Sequence, residues 1–219
     1  MPFPMVLTGL DVATGVMDTV AVVDCGDVAV FEGTGGRAAY GGPWLGRLTT
    51  YAVGHDGIFV GTQRVFEIQR MGFNGELKEI VRGPEKDLTV SSEFISSFEE
   101  TQLAMSPPRI RDDPEMRRRV LEEIRGRPFS PTKPAYGRIL LGPGRELWIS
   151  EWTIRRVLPT VWAVVDLDSG RAETVTVPER FELLQVGEGF LLGKTTDDVG
   201  VEAITAYELS PAGTLPPQL

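Results

Sequence analysis

"VWAVVDLDSGRAETVTV", residues 161–177, reads as two β-strands joined by a Ser-Gly turn, and residues 6–22, "VLTGLDVATGVMDTVAV", write the same pattern a second time. The two stretches align without a gap at an offset of 155 residues. Asp11 meets Asp166, Gly15 meets Gly170, Thr19 meets Thr174 and Val20 meets Val175. The shared Asp-x-x-[Ser/Thr]-Gly has a physical reason: the carboxylate accepts bonds from turn amides, and Gly supplies the positive φ that closes the loop. A third hairpin, "VFEIQRMGFNGELKEIV" (65–81), carries Asn74-Gly75 between alternating residues, the strongest short hairpin signal. Three related hairpins in one chain mark a repeat architecture.

A second kind of unit precedes two of these hairpins and recurs near the C-terminus. "AVGHDGIFVG" (52–61), "LLGPGRELWIS" (140–150) and "QVGEGFLLG" (185–193) each set a Gly-containing turn between two short apolar runs. Such runs fit strands buried on both faces. The order is therefore inner hairpin, then outer hairpin. This gives an outer pair at about 5–24, four-stranded units at about 47–83 and 135–178, and a last unit at about 181–209 with three strands. Radial repetition of four-stranded sheets is the β-propeller pattern.

The expected fold is all-β: one domain over 1–219, a partial β-propeller of about three to three and a half four-stranded blades. A helical insertion spans about 91–134. There Phe94 and Phe98 stand four residues apart behind Ser91 or Ser92 as caps. Asp113-Pro114 supplies N-cap and first helical residue for a helix with Met116, Val120 and Ile124 on one side.

Composition restricts the function. A formal net charge of −9 opposes a nucleic-acid site, which needs a basic stripe to displace counterions. The one basic run, Arg117-Arg118-Arg119, is followed by Glu122 and Glu123, as on a solvated helix face with ion pairs. Cys25 is the single cysteine and His55 the single histidine, so a disulfide within the chain, a multi-cysteine metal site and a His-rich zinc site are excluded. No run of about 18 apolar residues is present, so no membrane-spanning helix is expected. The N-terminal stretch lacks the basic start and apolar segment of a signal peptide, which places the chain as written in the cytoplasm.

"ELWISEW" followed by "VWAVVDLDSGRAETVTVPERFELLQVGEGFLLGKTTDDVGVEAITAYELS" resembles the C-terminal blades of bacterial six-bladed β-propellers related to the NHL and TolB-like groups. The matching features are Leu147-Trp148 on an inner strand, Trp162 opening the next, Pro178 before Phe181, and "DDVGVE" leading into "YEL". The resemblance implies a propeller of a largely uncharacterised group whose members are exported or lipid-anchored. A truncated N-terminus would then mean a periplasmic or cell-envelope location.

Six such blades need about 24 strands, and roughly 13 are legible here. Uncovered sheet faces call for a partner. The chain is read either as a homodimer, with the three-stranded unit completed by the other copy's N-terminal strands, or as a fragment of a longer exported propeller.

Propellers bind ligands on loops between the second and third strands of each blade. In this register those loops carry Gln63 and Arg64, then Glu151 and Trp152, then Asp197 and Asp198. Arg64, Glu151, Trp152, Asp197 and Asp198 are the expected ligand-binding residues, the competing reading being solvated turns. Oxygen ligands there would suit Ca²⁺. No catalytic residue is assigned: His55-Asp56-Gly57 fills a turn, Cys25 has no paired His, and "GTGG" (33–36) has no following Lys and helix. The expected function is a non-enzymatic binding module for a protein, peptide or glycan, without cofactor. The alternative is a calcium-dependent hydrolase of the lactonase type, for which the inner strands offer chiefly Glu182.

Overall fold

The computed structural model describes residues 4–32, 38–154, 160–197 and 199–209. The chain is mostly β, in five antiparallel sheets of two to four strands, and it groups into two compact units. Met1–Thr49 with Pro84–Pro134 form the first, and Thr50–Gly83 with Ala135–Leu219 the second.

The first unit holds two hairpins, β1 (Pro4–Leu10) with β2 (Met17–Asp24) and β3 (Ala29–Glu32) with β4 (Ala38–Gly41). The latter pair was not anticipated. In the first turn the Asp11 carboxylate accepts from the Ala13 and Thr14 N–H groups at 2.8 and 3.2 Å, and Gly15 sits at φ +70°. A bulge between Leu7 and Thr8 shifts the pairing, so Leu7 faces Ala21 while Thr8 faces Thr19. The helical insertion also lies here, as α1 (Ser92–Met105), α2 (Pro108–Arg111) and α3 (Pro114–Gly126). Ser91 caps α1 by accepting from the Phe94 N–H, and Asp113 caps α3 by accepting from Glu115 and Met116, with Pro114 as its first residue. Trp44 centres the packing. Its ring lies 5.2 Å from that of Phe98, which meets Phe129 edge-on at 5.4 Å. The indole N–H donates to the Ile124 carbonyl at 2.9 Å, and the Arg127 guanidinium stacks 4.7 Å above the Trp44 ring.

The second unit is three meanders in succession. β5 (Thr50–Gly54), β6 (Gly57–Gly61), β7 (Glu67–Met71) and β8 (Leu77–Arg82) form one sheet in chain order. β9 (Ile139–Leu141), β10 (Glu146–Ser150), β11 (Thr160–Asp166) and β12 (Ala172–Val177) form the next. β13 (Phe181–Gly187), β14 (Phe190–Thr196) and β15 (Glu202–Glu208) form the last. The first strands are neighbours, β5 against β9 and β9 against β13, so the three sheets follow one another as the blades of a partial propeller.

Why the faces need each other is visible in the second and third sheets. Trp148, Trp162, Val164, Val175 and Val177 pack against Phe181, Leu183, Val186 and Leu191 in one buried cluster. Inward residues alternate with exposed ones along β12, where Thr174 and Thr176 face out. The β11–β12 turn repeats the first hairpin's chemistry: Asp166 accepts from the Asp168 and Ser169 N–H groups, both at 2.9 Å, and Gly170 sits at φ +69°. These amide donors hold the Asp166 carboxyl below its ordinary range.

Candidate functional site

The expected ligand loops each follow the second strand of a blade, and polar stitching brings three of them to one end of the second unit. Gln63, in the β6–β7 loop, is buried, with φ +59°. Its carbonyl accepts from the Ala135 N–H at 2.9 Å, and its amide nitrogen donates to the Gly137 carbonyl at 2.5 Å. Gly137 N–H in turn donates to the Ser150 carbonyl at 2.8 Å, and Ser150 Oγ accepts from the Arg138 N–H at 2.8 Å. The loop after β6 and the loop after β10 are thus tied through residues 135–138.

Arg138 extends the line to the third blade. Its guanidinium donates to the Leu183 carbonyl at 3.1 Å and to Glu182 at 3.3 Å. Lys194 lies 3.5 Å from Glu182 and 2.8 Å from Glu202; the hydrogen bond to Glu202 is the main cause of its raised pKa. Glu182 is therefore shared between two cations. The loop after β14 is anchored alongside, where the Thr196 N–H donates to the Arg180 carbonyl at 3.2 Å.

On this frame Arg64 is exposed, Glu151 is exposed with its N–H given to the Val161 carbonyl at 2.8 Å, and Trp152 is half-buried. Asp197 is exposed, but its carboxylate accepts from the Val199 and Val201 N–H groups at 3.0 and 2.8 Å, as a turn former. Asp198 and the Gly-rich stretch at 33–36 lie outside the described residues. So Arg64, Glu151, Trp152 and Asp197 belong to equivalent loops at one end.

Tyr136 is the buried keystone of the stitching and was not anticipated. Its ring is wholly buried, its hydroxyl donates to the Glu67 carbonyl at 3.2 Å and accepts from the Gln63 N–H at 3.4 Å. Burial pushes the phenol up to about 12, with the Gln63 N–H pulling partway back. Gly61 lies directly beneath, where a Cβ would come within 1.8 Å of the hydroxyl. A Tyr at the start of the unit read at about 135–178, with Gly at the end of a strand in the preceding unit, is the trace of this in the sequence.

The turns between first and second strands make a second candidate. Val53, His55, Asp56, Phe59, Leu141, Arg145, Glu146 and neighbouring glycines line a pocket of about 200 Å³ between the first two blades. His55-Asp56 is indeed the two-residue turn of a hairpin, with Gly54 paired to Gly57. Most charges of the pocket are engaged. Asp56 pairs with Arg70, and Arg70 Nε lies 3.1 Å from Glu79. Glu79 also meets Arg145 at 3.2 Å, and Arg145 meets Asp168 at 3.2 Å. Glu146 accepts from the Trp148 indole at 3.0 Å. This chain of alternating charge runs from one blade to the next.

Among the described residues no group of three or more His, Cys, Asp or Glu is arranged to hold a metal ion, and no helix is long and apolar enough to cross a membrane. Comparison with protein-family models, curated proteins and solved structures gives no match for this chain.

Proposed function

We propose that the chain is a non-enzymatic binding module of the propeller type, akin to the bacterial six-bladed NHL and TolB-like propellers, and that it associates with a second copy of itself. The observation that carries this reading is the contrast between two hairpins of one pattern. In β11–β12 the residues Trp162, Val164, Val175 and Val177 are buried by the following blade. In the β1–β2 hairpin Val20 and Ala21 are buried, but Val6, Leu10, Met17 and Val22 on the strands and Val12 and Val16 in the turn are each more than half exposed. Apolar β-sheet surface of this kind on a soluble chain marks an interaction site.

The loops carrying Arg64, Glu151, Trp152 and Asp197 supply a mixed polar and aromatic end suited to a protein, peptide or glycan. Sharing of Glu182 between Arg138 and Lys194 supports binding over calcium-dependent hydrolysis, because that carboxylate is already neutralised.

Light scattering on the full chain across a range of concentrations tests the association. A dimer is expected, and Leu10→Glu with Val22→Asp should return it to monomer while leaving the far-ultraviolet dichroism unchanged. A single monomeric species of the unaltered chain at every concentration overturns the reading.

A further inference from the structure

The basic run 117–119 lies on an exposed, ion-paired helix face, but its arginines divide between the two sides of α3. Arg118 is shared between Glu115 at 2.8 Å and Glu122, and Arg119 turns to Glu115 at 3.1 Å. Arg117 goes elsewhere. With 3.6 residues per turn, Pro114, Arg117, Arg118, Leu121 and Arg125 share one side of α3. Together with Arg111 and Asp112 at the end of α2, and Glu122, they line a hollow of about 390 Å³.

Four guanidinium groups therefore border one concavity. Arg125 is committed to Glu99 at 2.7 Å, and Arg118 to its two glutamates. Arg111 has a weak bond to the Ala104 carbonyl at 3.4 Å. Among the described residues neither Arg111 nor Arg117 has a carboxylate partner, and Asp112 is the one lining acid not already paired with a lining arginine. Leu121 and Pro114 give the hollow an apolar wall.

We propose that this hollow binds a small phosphorylated solute, its phosphoryl group held by Arg111 and Arg117 and its organic part laid on Leu121 and Pro114. Guanidinium forks match tetrahedral oxyanions through paired, charge-assisted hydrogen bonds. A dianion satisfies two unpaired cations where a single carboxylate satisfies one. The volume exceeds what a phosphate ion alone needs, which leaves room for the remainder of a small molecule. A polyanionic macromolecule is disfavoured by the net charge of −9 on the whole chain.

The test titrates the full chain with inorganic phosphate, phenyl phosphate and benzoate at constant ionic strength, followed by calorimetry. Saturable binding of both phosphates is expected, phenyl phosphate the tighter and benzoate the weakest. Arg117→Gln or Arg111→Gln should each weaken phenyl phosphate by about tenfold, the scale of one lost charge-assisted contact. Arg119→Gln, on the other side of α3, should leave it unchanged. Absence of saturable phosphate binding, equal binding of benzoate, or retained affinity in both the Arg111 and the Arg117 variants overturns the proposal.

Discussion

Replacing Tyr136 by Phe separates two effects of one buried hydroxyl, and pH tells them apart. At neutral pH the hydroxyl satisfies the Glu67 carbonyl and the Gln63 N–H. Removing it leaves both without this partner in a site with no exposed surface on the ring, a loss of about 1–2 kcal/mol. The phenol stands at about 12 in the fold because burial disfavours its anion, against about 10 in the unfolded chain. A folded pKa raised above the unfolded one gives stability that is complete below about pH 10 and lost as pH rises through about 12. At about pH 11 the two titrations differ by about 1.4 kcal/mol, tending to about 2.7 kcal/mol at still higher pH. The Phe variant cannot titrate there. Urea unfolding of both proteins, followed by tryptophan emission from about pH 7 to pH 11.5, should show the wild type ahead at neutrality and the gap closing above pH 10. Other tyrosines contribute equally to both proteins, so the difference isolates Tyr136. A gap that stays constant over the whole range would refute the placement of an un-ionised buried phenol.

Leu191 is completely buried between the second and third blades. Leu191→Ala should lower the stability of the second unit by about 3 kcal/mol, whereas Leu191→Met should cost under about 1.5 kcal/mol; urea midpoints check both. Gly61→Ala sets a methyl group 1.8 Å from the Tyr136 hydroxyl and 2.9 Å from its ring carbon. A loss of about 1–3 kcal/mol is expected from such overpacking, and part of it should return when Tyr136→Phe is added. A double-mutant cycle with no coupling would show that the two positions do not touch.

Much of the fold is written locally. The Asp-x-x-[Ser/Thr]-Gly turns form as read because carboxylate, amides and glycine are within five residues of each other, so no distant contact is required to set them. The caps Ser91 and Asp113 are legible for the same reason. β3 and β4 escaped because Ala29–Glu32 and Ala38–Gly41 are only four residues each, and β4 is mostly Ala and Gly, which carry little strand preference. The Leu7–Thr8 bulge was equally hidden: a gapless alignment of two hairpins says nothing of an extra residue accommodated on one strand. All-β class, the helical insertion and the succession of sheets in the second unit survive these omissions, since they depend on the repeat rather than on any one strand.

The candidate site was legible only as a set of loops, because the roles of its residues depend on what crosses between blades. Gln63 looked like a solvated loop residue; its side chain is instead one of the bonds tying the loop after β6 to the strand before β10. Asp197 looked like a free carboxylate; its oxygen is taken by turn amides. Arg138 stood in a segment read simply as the start of a strand, yet it joins β13 to the second blade. In each case a polar group suspected of ligand chemistry, or overlooked, completes a neighbour's hydrogen bonds. The same holds for the chain of charge from Asp56 to Asp168 at the opposite end. The second blade is joined to the first by these two polar seams and to the third by the Arg138 bonds and the apolar cluster around Leu191. Stability of that kind is a sum of nearest-neighbour terms. The β1–β2 hairpin buries Val20 and Ala21 but leaves Val6, Leu10, Met17 and Val22 exposed, and burying that apolar surface against another sheet would be the physical drive behind the association proposed above.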